Sequence, residues 1–165
     1  MSPQIFSARE GSLLQTKLQA IQLDQAKNAF RIGIPKEVFI NENRIALVPH
    51  SIHKLVAMGH RVIIESGAGL GANFSDHDFS ESGAEISSSK EEVFQSDIII
   101  KVIPPTLEEI SLFRTNQILI SPLQMPLINN EYLQSLRHKR VTAIAMEYLK
   151  SEDGSFPLVR IMSEI

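Results

Sequence analysis

Ile98-Ile99-Ile100-Lys101-Val102-Ile103-Pro104-Pro105 is a run of mostly β-branched residues that carries one charge and ends on two consecutive prolines. A run that is apolar without alternation reads as a strand covered on both faces, which is the condition of strands in a parallel sheet clothed by helices. Proline cannot donate to a ladder, so Pro104 and Pro105 force the chain out of the sheet immediately afterwards. The central strand is predicted over 97–102, with others at 31–34, 61–65, 117–120 and 141–145 and helical segments between them. The expectation is an α/β fold: an open, mostly parallel, doubly wound sheet of the Rossmann-like kind with flanking helices.

Helix signals support this. Pro49 is placed to open a helix that puts Ile52, Leu55 and Val56 on one face and ends at Gly59. Thr106 with Glu109 forms a capping box, Ser89 with Glu92 repeats the signal, and Ile128 before Leu133 suits a hydrophobic staple. Upstream, residues 12–28 are polar and Gln-rich with Leu14, Leu18 and Ile21 at helical spacing. They predict a helical extension over residues 1–30, either an oligomer arm or a cover for the subunit's own sheet. Asp153-Gly154 reads as a turn joining two short strands. The close, Met162-Ser163-Glu164-Ile165, has no Gly, Pro or polar tail to finish an element, which suggests a partial end.

Composition narrows the function. With 165 residues, 43% of them hydrophobic, there is enough apolar surface for one core of ordinary size. The formal charge of -3 and the lack of any Lys/Arg block argue against a nucleic-acid partner. Absence of cysteine removes disulfides, thiolate metal sites and a cysteine nucleophile. Apolar runs fall far short of the roughly 20 residues that span a bilayer, and no basic stretch leads into an apolar signal segment. A soluble, cytoplasmic protein is expected. His50 and His53 lie near a helix start while His60, His77 and His138 are scattered, so no metal is expected.

Chemistry is sought at three places. Gly67-Ala68-Gly69-Leu70-Gly71 follows a strand and looks like a phosphate cradle, but its third glycine comes one residue too early for the Gly-x-Gly-x-x-Gly fingerprint. It reads as a tight turn in which glycine reaches positive φ. Lys36-Glu37 and Asn41-Glu42-Asn43-Arg44 follow the first strand, where open α/β sheets meet their ligands. Arg44 offers a planar fork for a carboxylate, although a surface ion pair is the commoner role of such an arginine. Lys101, inside the apolar run, must pair, snorkel or do chemistry. If that strand stays regular, Lys101 shares a face with Ile103.

Beyond these generic signals, several strings resemble one family. Ile32-Gly33-Ile34-Pro35-Lys36-Glu37, Asn41-Glu42-Asn43-Arg44-Ile45-Ala46-Leu47-Val48-Pro49, Gly59-His60-Arg61-Val62 and Glu65-Ser66-Gly67-Ala68-Gly69-Leu70-Gly71 are similar to the opening of the alanine dehydrogenase/pyridine nucleotide transhydrogenase family. So are Gly83-Ala84-Glu85-Ile86, Lys101-Val102, Val141-Thr142-Ala143-Ile144-Ala145 and Met162-Ser163-Glu164, so that residues 31–165 are covered. Asp153-Gly154-Ser155-Phe156-Pro157-Leu158 leans toward the alanine dehydrogenase branch.

The resemblance implies the substrate-side lobe of a two-lobed NAD(P)-dependent oxidoreductase. NAD or NADP would be held mainly by a second domain absent from this chain, the substrate would be a small amino acid or keto acid, and the protein would form a homo-oligomer. It further implies that Arg44 binds the substrate carboxylate. The family's substrate lysine falls on Ile103 and its acid/base histidine on Gln124, both departures, which leaves Lys101 as the nearby cation that could serve catalysis. Three activities remain open: alanine-type oxidative deamination, hydride transfer between nicotinamides, and a non-catalytic regulatory or assembly role.

Overall fold

A computed structural model describes residues 29–124 and 128–157. In chain order these form β1 (Arg31–Ile34), α1 (Pro49–Ala57), β2 (Arg61–Glu65), a 3-10 turn (Leu70–Ala72), α2 (Asp76–Glu81), β3 (Glu85–Ser87) and α3 (Lys90–Phe94). There follow β4 (Ile98–Ile100), α4 (Leu107–Leu112), β5 (Ile118–Ser121), α5 (Asn130–His138), β6 (Thr142–Ala145) and a second 3-10 turn (Met146–Tyr148). The strands make one parallel sheet in the order β3-β2-β1-β4-β5-β6. From β1 the chain winds outward to β3, returns to lay β4 against β1, and winds outward on the other side. The direction of winding therefore reverses between β1 and β4, with Ile32 beside Ile98 and Gly33 beside Ile99.

Period-two alternation divides the core between the two faces. Ile32, Ile34, Val62 and Ile64 pack with Ile52 of α1 and Phe79 of α2 on one side. On the other, Ile99 and Leu119 meet Phe94 of α3, Ile110 of α4 with Phe113 just past its end, and Leu136 of α5. Gly33 sets how closely α3 can approach: a Cβ there would lie 2.5 Å from the Val93 carbonyl oxygen and 2.8 Å from Ser96 Oγ. Helix backbone thus rests directly on β1, and no larger residue fits without displacing it.

Most of the punctuation forms as expected. Pro49 opens α1, and Gly59 follows its end with φ of 93°. Thr106 and Glu109 make both halves of the capping box. At α3 only half forms: Ser89 accepts from the Glu92 N–H, but the Glu92 carboxylate turns instead to Ser87 Oγ at 2.6 Å and Arg31 at 3.3 Å. Ile128 joins the second core cluster beside the Asn129 cap of α5.

The short edge strand β3, outside the predicted set, adds a sixth member to the sheet. The central strand is shorter than 97–102 because the ladder becomes a bend at Val102 and Ile103. Asp153-Gly154 is a turn, with Ser155 N and Oγ both donating to Asp153 Oδ1, but no strands flank it among the described residues. The predicted helix at 12–28 lies outside the described residues, as does the close of the chain. Among those described, no helix is long and apolar enough to cross a membrane.

Tyr132 of α5 brings a polar group into this packing. Its hydroxyl is shut from solvent without a hydrogen-bond partner, and burial, helped by the nearby Glu109 charge, pushes its pKa from 10.0 up to about 12. A raised folded value means the associated stability is intact below pH 10.0 and is lost as pH climbs toward about 12. Tyr132→Phe should therefore be neutral or stabilising at pH 7, since it removes a buried unsatisfied group. It should also flatten the alkaline loss of stability relative to the parent. Denaturant midpoints of both proteins across that pH range check this, and a clear loss of stability at pH 7 would contradict it.

Candidate functional site

Because all six strands run the same way, the segments that leave their carboxyl ends collect along one edge of the sheet, where open α/β folds bind ligands. The loop from Pro35 to Val48 leaves β1, the Ser66–Gly71 turn leaves β2, Lys101 and Val102 follow β4, Leu123 and Gln124 follow β5, and Glu147 follows β6.

At the reversal between β1 and β4 lies a buried set of alternating charges. Lys101 Nζ sits 2.9 Å from Glu37 Oε2 and 3.2 Å from Glu109 Oε1, and Lys90 Nζ reaches the same Glu109 oxygen at 3.3 Å. The Lys101, Glu37 and Glu109 side chains are 1%, 6% and 3% exposed. Their remaining valences go to the backbone: Glu37 Oε1 accepts from Val102 N at 2.7 Å, and Glu109 Oε2 accepts from Thr106 N at 2.9 Å. Of the possibilities open to Lys101, the structure shows pairing. Nor does the strand stay regular enough to give it a common face with Ile103, since β4 ends at Ile100 and the next residues bend.

Arg44 lies farther along the β1 loop with its side chain half exposed. Glu42 grips it in a fork, Nε to Oε1 at 2.8 Å and Nη2 to Oε2 at 2.6 Å, while the Arg44 N–H also donates to Oε1 at 2.9 Å. The guanidinium holds the Glu42 carboxyl below its ordinary range, and Glu42 in turn raises Arg44. The plane of the guanidinium is thus set by its near neighbour in sequence.

The glycine turn supports this loop. Gly67 takes φ of 73°, its N–H donating to Asp76 Oδ1 at 2.8 Å, and the Ser66 hydroxyl donates to Asp76 Oδ2 at 2.7 Å. Gly71 presses on the Arg44 loop: a Cβ there would come within 2.8 Å of Asn43 Cα. The turn runs into a 3-10 turn and then the Ser75 cap, with no helix N-terminus at the glycines to cradle a phosphate. Glu37 and Lys101 pair across the ends of β1 and β4, and among the described residues the glycine turn does not offer the cradle that a dinucleotide needs.

Ile103 and Gln124 are found at the same edge. Gln124 adopts φ of 51°, and Glu147 fixes it there: one Glu147 carboxylate accepts from Leu123 N at 3.0 and 3.1 Å and from Gln124 N at 2.8 Å. Sequence reasoning passed over Glu147, although its place directly after a predicted strand was a usable signal. It also assigned Glu109 only its capping role, because pairing with Lys101 depends on a contact between the end of β4 and α4.

Comparison with known proteins follows the same lines. The chain matches the family described as alanine dehydrogenase/PNT, N-terminal domain, over residues 33–165. The alanine dehydrogenase of Staphylococcus epidermidis is 42% identical over 136 residues, covering 82% of this chain and 36% of that protein. That of Bacillus subtilis is 41% identical over 134 residues, covering 81% and 35% respectively. Among solved structures, an L-alanine dehydrogenase aligns with a TM-score of 0.76 at 35% identity, over 81% of this chain and 37% of the other. A transhydrogenase from Sinorhizobium meliloti aligns at 0.67 and 32%, over 72% and 35%. The chain thus spans little more than a third of the length of these relatives.

The Glu42–Arg44 fork makes a direct titration test. Glu42 should titrate below its ordinary 4.5 in the parent and move upward in Arg44→Ala, which removes the guanidinium but keeps the backbone N–H, read by carboxyl NMR. With a depressed folded pKa, the contribution is present above 4.5 and lost as pH falls through the folded value. An unchanged Glu42 titration in Arg44→Ala would show that the fork does not persist in solution.

Proposed function

The chain belongs to the alanine dehydrogenase/PNT N-terminal domain family, and on that premise we propose that it is the substrate-side lobe of a longer NAD(P)-dependent oxidoreductase acting on a small amino acid or keto acid. The observation that carries this reading is Arg44: a guanidinium held in a fixed plane at the carboxyl edge of the sheet, near the reversal point, suits a planar anion such as a substrate carboxylate. The reaction class is oxidative deamination, in which an alanine-like substrate and water give a keto acid and ammonia, and a bound dinucleotide would supply the hydride acceptor. Since the described residues offer no dinucleotide cradle, NAD or NADP belongs to a second domain in this proposal. A cytoplasmic homo-oligomer is part of the same reading.

What this lobe supplies is binding and orientation. Ile103 carries no charge, and the Gln124 amide can orient water but cannot take up a proton at neutral pH. Protons released in the reaction must then pass to water or to groups on the other lobe. The same two residues favour a second reading, hydride transfer between nicotinamides, which needs no acid/base at position 124. The similarity to alanine dehydrogenases supports the amino-acid reading as the first of the two.

In the complete protein, NAD reduction should depend on a small amino acid such as L-alanine. Arg44→Ala should raise its KM by about tenfold or more, the scale of one charge-assisted hydrogen bond. Steady-state kinetics beside a nicotinamide-to-nicotinamide transfer assay decide between the readings. Transfer between nicotinamides with no amino-acid-dependent rate would move the protein to the transhydrogenase side.

A further inference from the structure

We infer that Glu37 and Lys101 form a clasp that fixes the Arg44 loop against the end of β4, and that both are positioning residues which do not touch substrate. The inference rests on the carboxylate role proposed above for Arg44. A lysine with a 1% exposed side chain, held between two carboxylates, cannot reach a ligand without breaking both pairs. Glu109 is itself tied to Thr106 N and Lys90 and does not follow Lys101 outward. Glu37 reads two parts of the neighbouring strand end at once, the Val102 N–H with Oε1 and the Lys101 ammonium with Oε2. One side chain therefore joins the segment after β1 to the segment after β4.

Directly past Glu37 the loop is open to solvent. Val38, Phe39 and Ile40 are 51%, 67% and 84% exposed. On either side of this exposed stretch the loop is anchored by Lys36 N on Glu65 at 2.9 Å, by Asn43 against Gly71, and by Ile45, Ala46 and Leu47 packed on the first core cluster, so Glu37 is what ties its early part to the end of β4. Arg44 also feels the Glu37 charge, which contributes to its raised pKa. If the clasp opens, the carboxylate site loses its register with the sheet.

The charge count suggests a rescue. In Lys101→Met, Glu109 keeps Lys90 but Glu37 is left as a buried anion without its ammonium. Adding Glu37→Gln removes the stranded charge while leaving a side-chain carbonyl for the Val102 N–H. The complete protein, both single variants and the double variant would be compared by amide exchange and by kinetics with L-alanine and NAD. In Lys101→Met, exchange of Val102 and of residues 37–44 should quicken about tenfold or more while β2 is unchanged, and the double variant should return to within about threefold of the parent. KM for alanine should rise and recover in parallel, with kcat within about threefold throughout and the dinucleotide KM unaltered.

A fall in kcat of about a hundredfold in Lys101→Met that Glu37→Gln does not restore would show that Lys101 touches the reacting atoms, and the clasp would be wrong. Unchanged exchange in Lys101→Met would overturn it equally. Should the single variant fail to fold, the double variant decides alone by whether kcat survives. If the parent shows no amino-acid-dependent rate, the carboxylate reading fails, while the exchange experiment still accepts or rejects the clasp.

Discussion

A lysine ammonium enclosed at the reversal point of a parallel sheet is the constraint around which the rest is arranged. Removing such a charge from water costs several kcal/mol by order of magnitude, and only close anionic partners offset it. Lys101 has two, and each is tied to backbone at a different place: Glu37 to Val102 and Glu109 to Thr106. The β1 loop, the end of β4 and the start of α4 are therefore joined through one side chain. A hydrophobic residue could occupy the same volume, but it would not specify which oxygen of which carboxylate faces which N–H.

The sheet makes this arrangement possible by bringing segments distant in sequence to one edge. Glu37 and Val102 lie 65 residues apart, yet they meet because β4 returns to pair with β1. Two glycines tune the fit at opposite places. Gly33 lets α3 lie on β1 beneath the site, and Gly71 lets the β2 turn press on Asn43 beside Arg44. Both act through close approach with no need of positive φ, whereas Gly67 needs its positive φ to turn toward Asp76.

What could be read from sequence follows from how local each signal is. The strands at Arg31–Ile34 and Arg61–Glu65 were legible because β-branched runs with sharp boundaries announce themselves. β3 was not, since Glu85–Ser87 is too short and too polar to stand out, and it is a strand because β2 offers it a free edge. The Thr106–Glu109 box was visible as a spacing, but the second use of Glu109 was not, because Lys101 meets it only after the chain has folded. Likewise Lys101 could be recognised as a residue in need of a partner without the partner being identifiable. The position of Arg44 after the first strand put it at the carboxyl edge of the sheet, whereas its fork with Glu42 is a matter of rotamer and loop geometry.

That fork imposes a trade on any anion that Arg44 meets. Glu42 fixes the guanidinium plane, so little side-chain entropy is left to lose when a carboxylate arrives. The same carboxylate offsets part of the positive charge that would attract the newcomer, and its side chain, 8% exposed, is not readily displaced. Orientation is gained at the expense of attraction. Under the carboxylate role proposed for Arg44, such an edge would discriminate by geometry more than by charge, in keeping with an alkyl group at position 103 and a neutral amide at 124. The groups beneath that edge, Glu37, Lys101, Glu109 and Lys90, sum to no net charge, so their long-range field is weak while the near one, Glu37, still acts on Arg44.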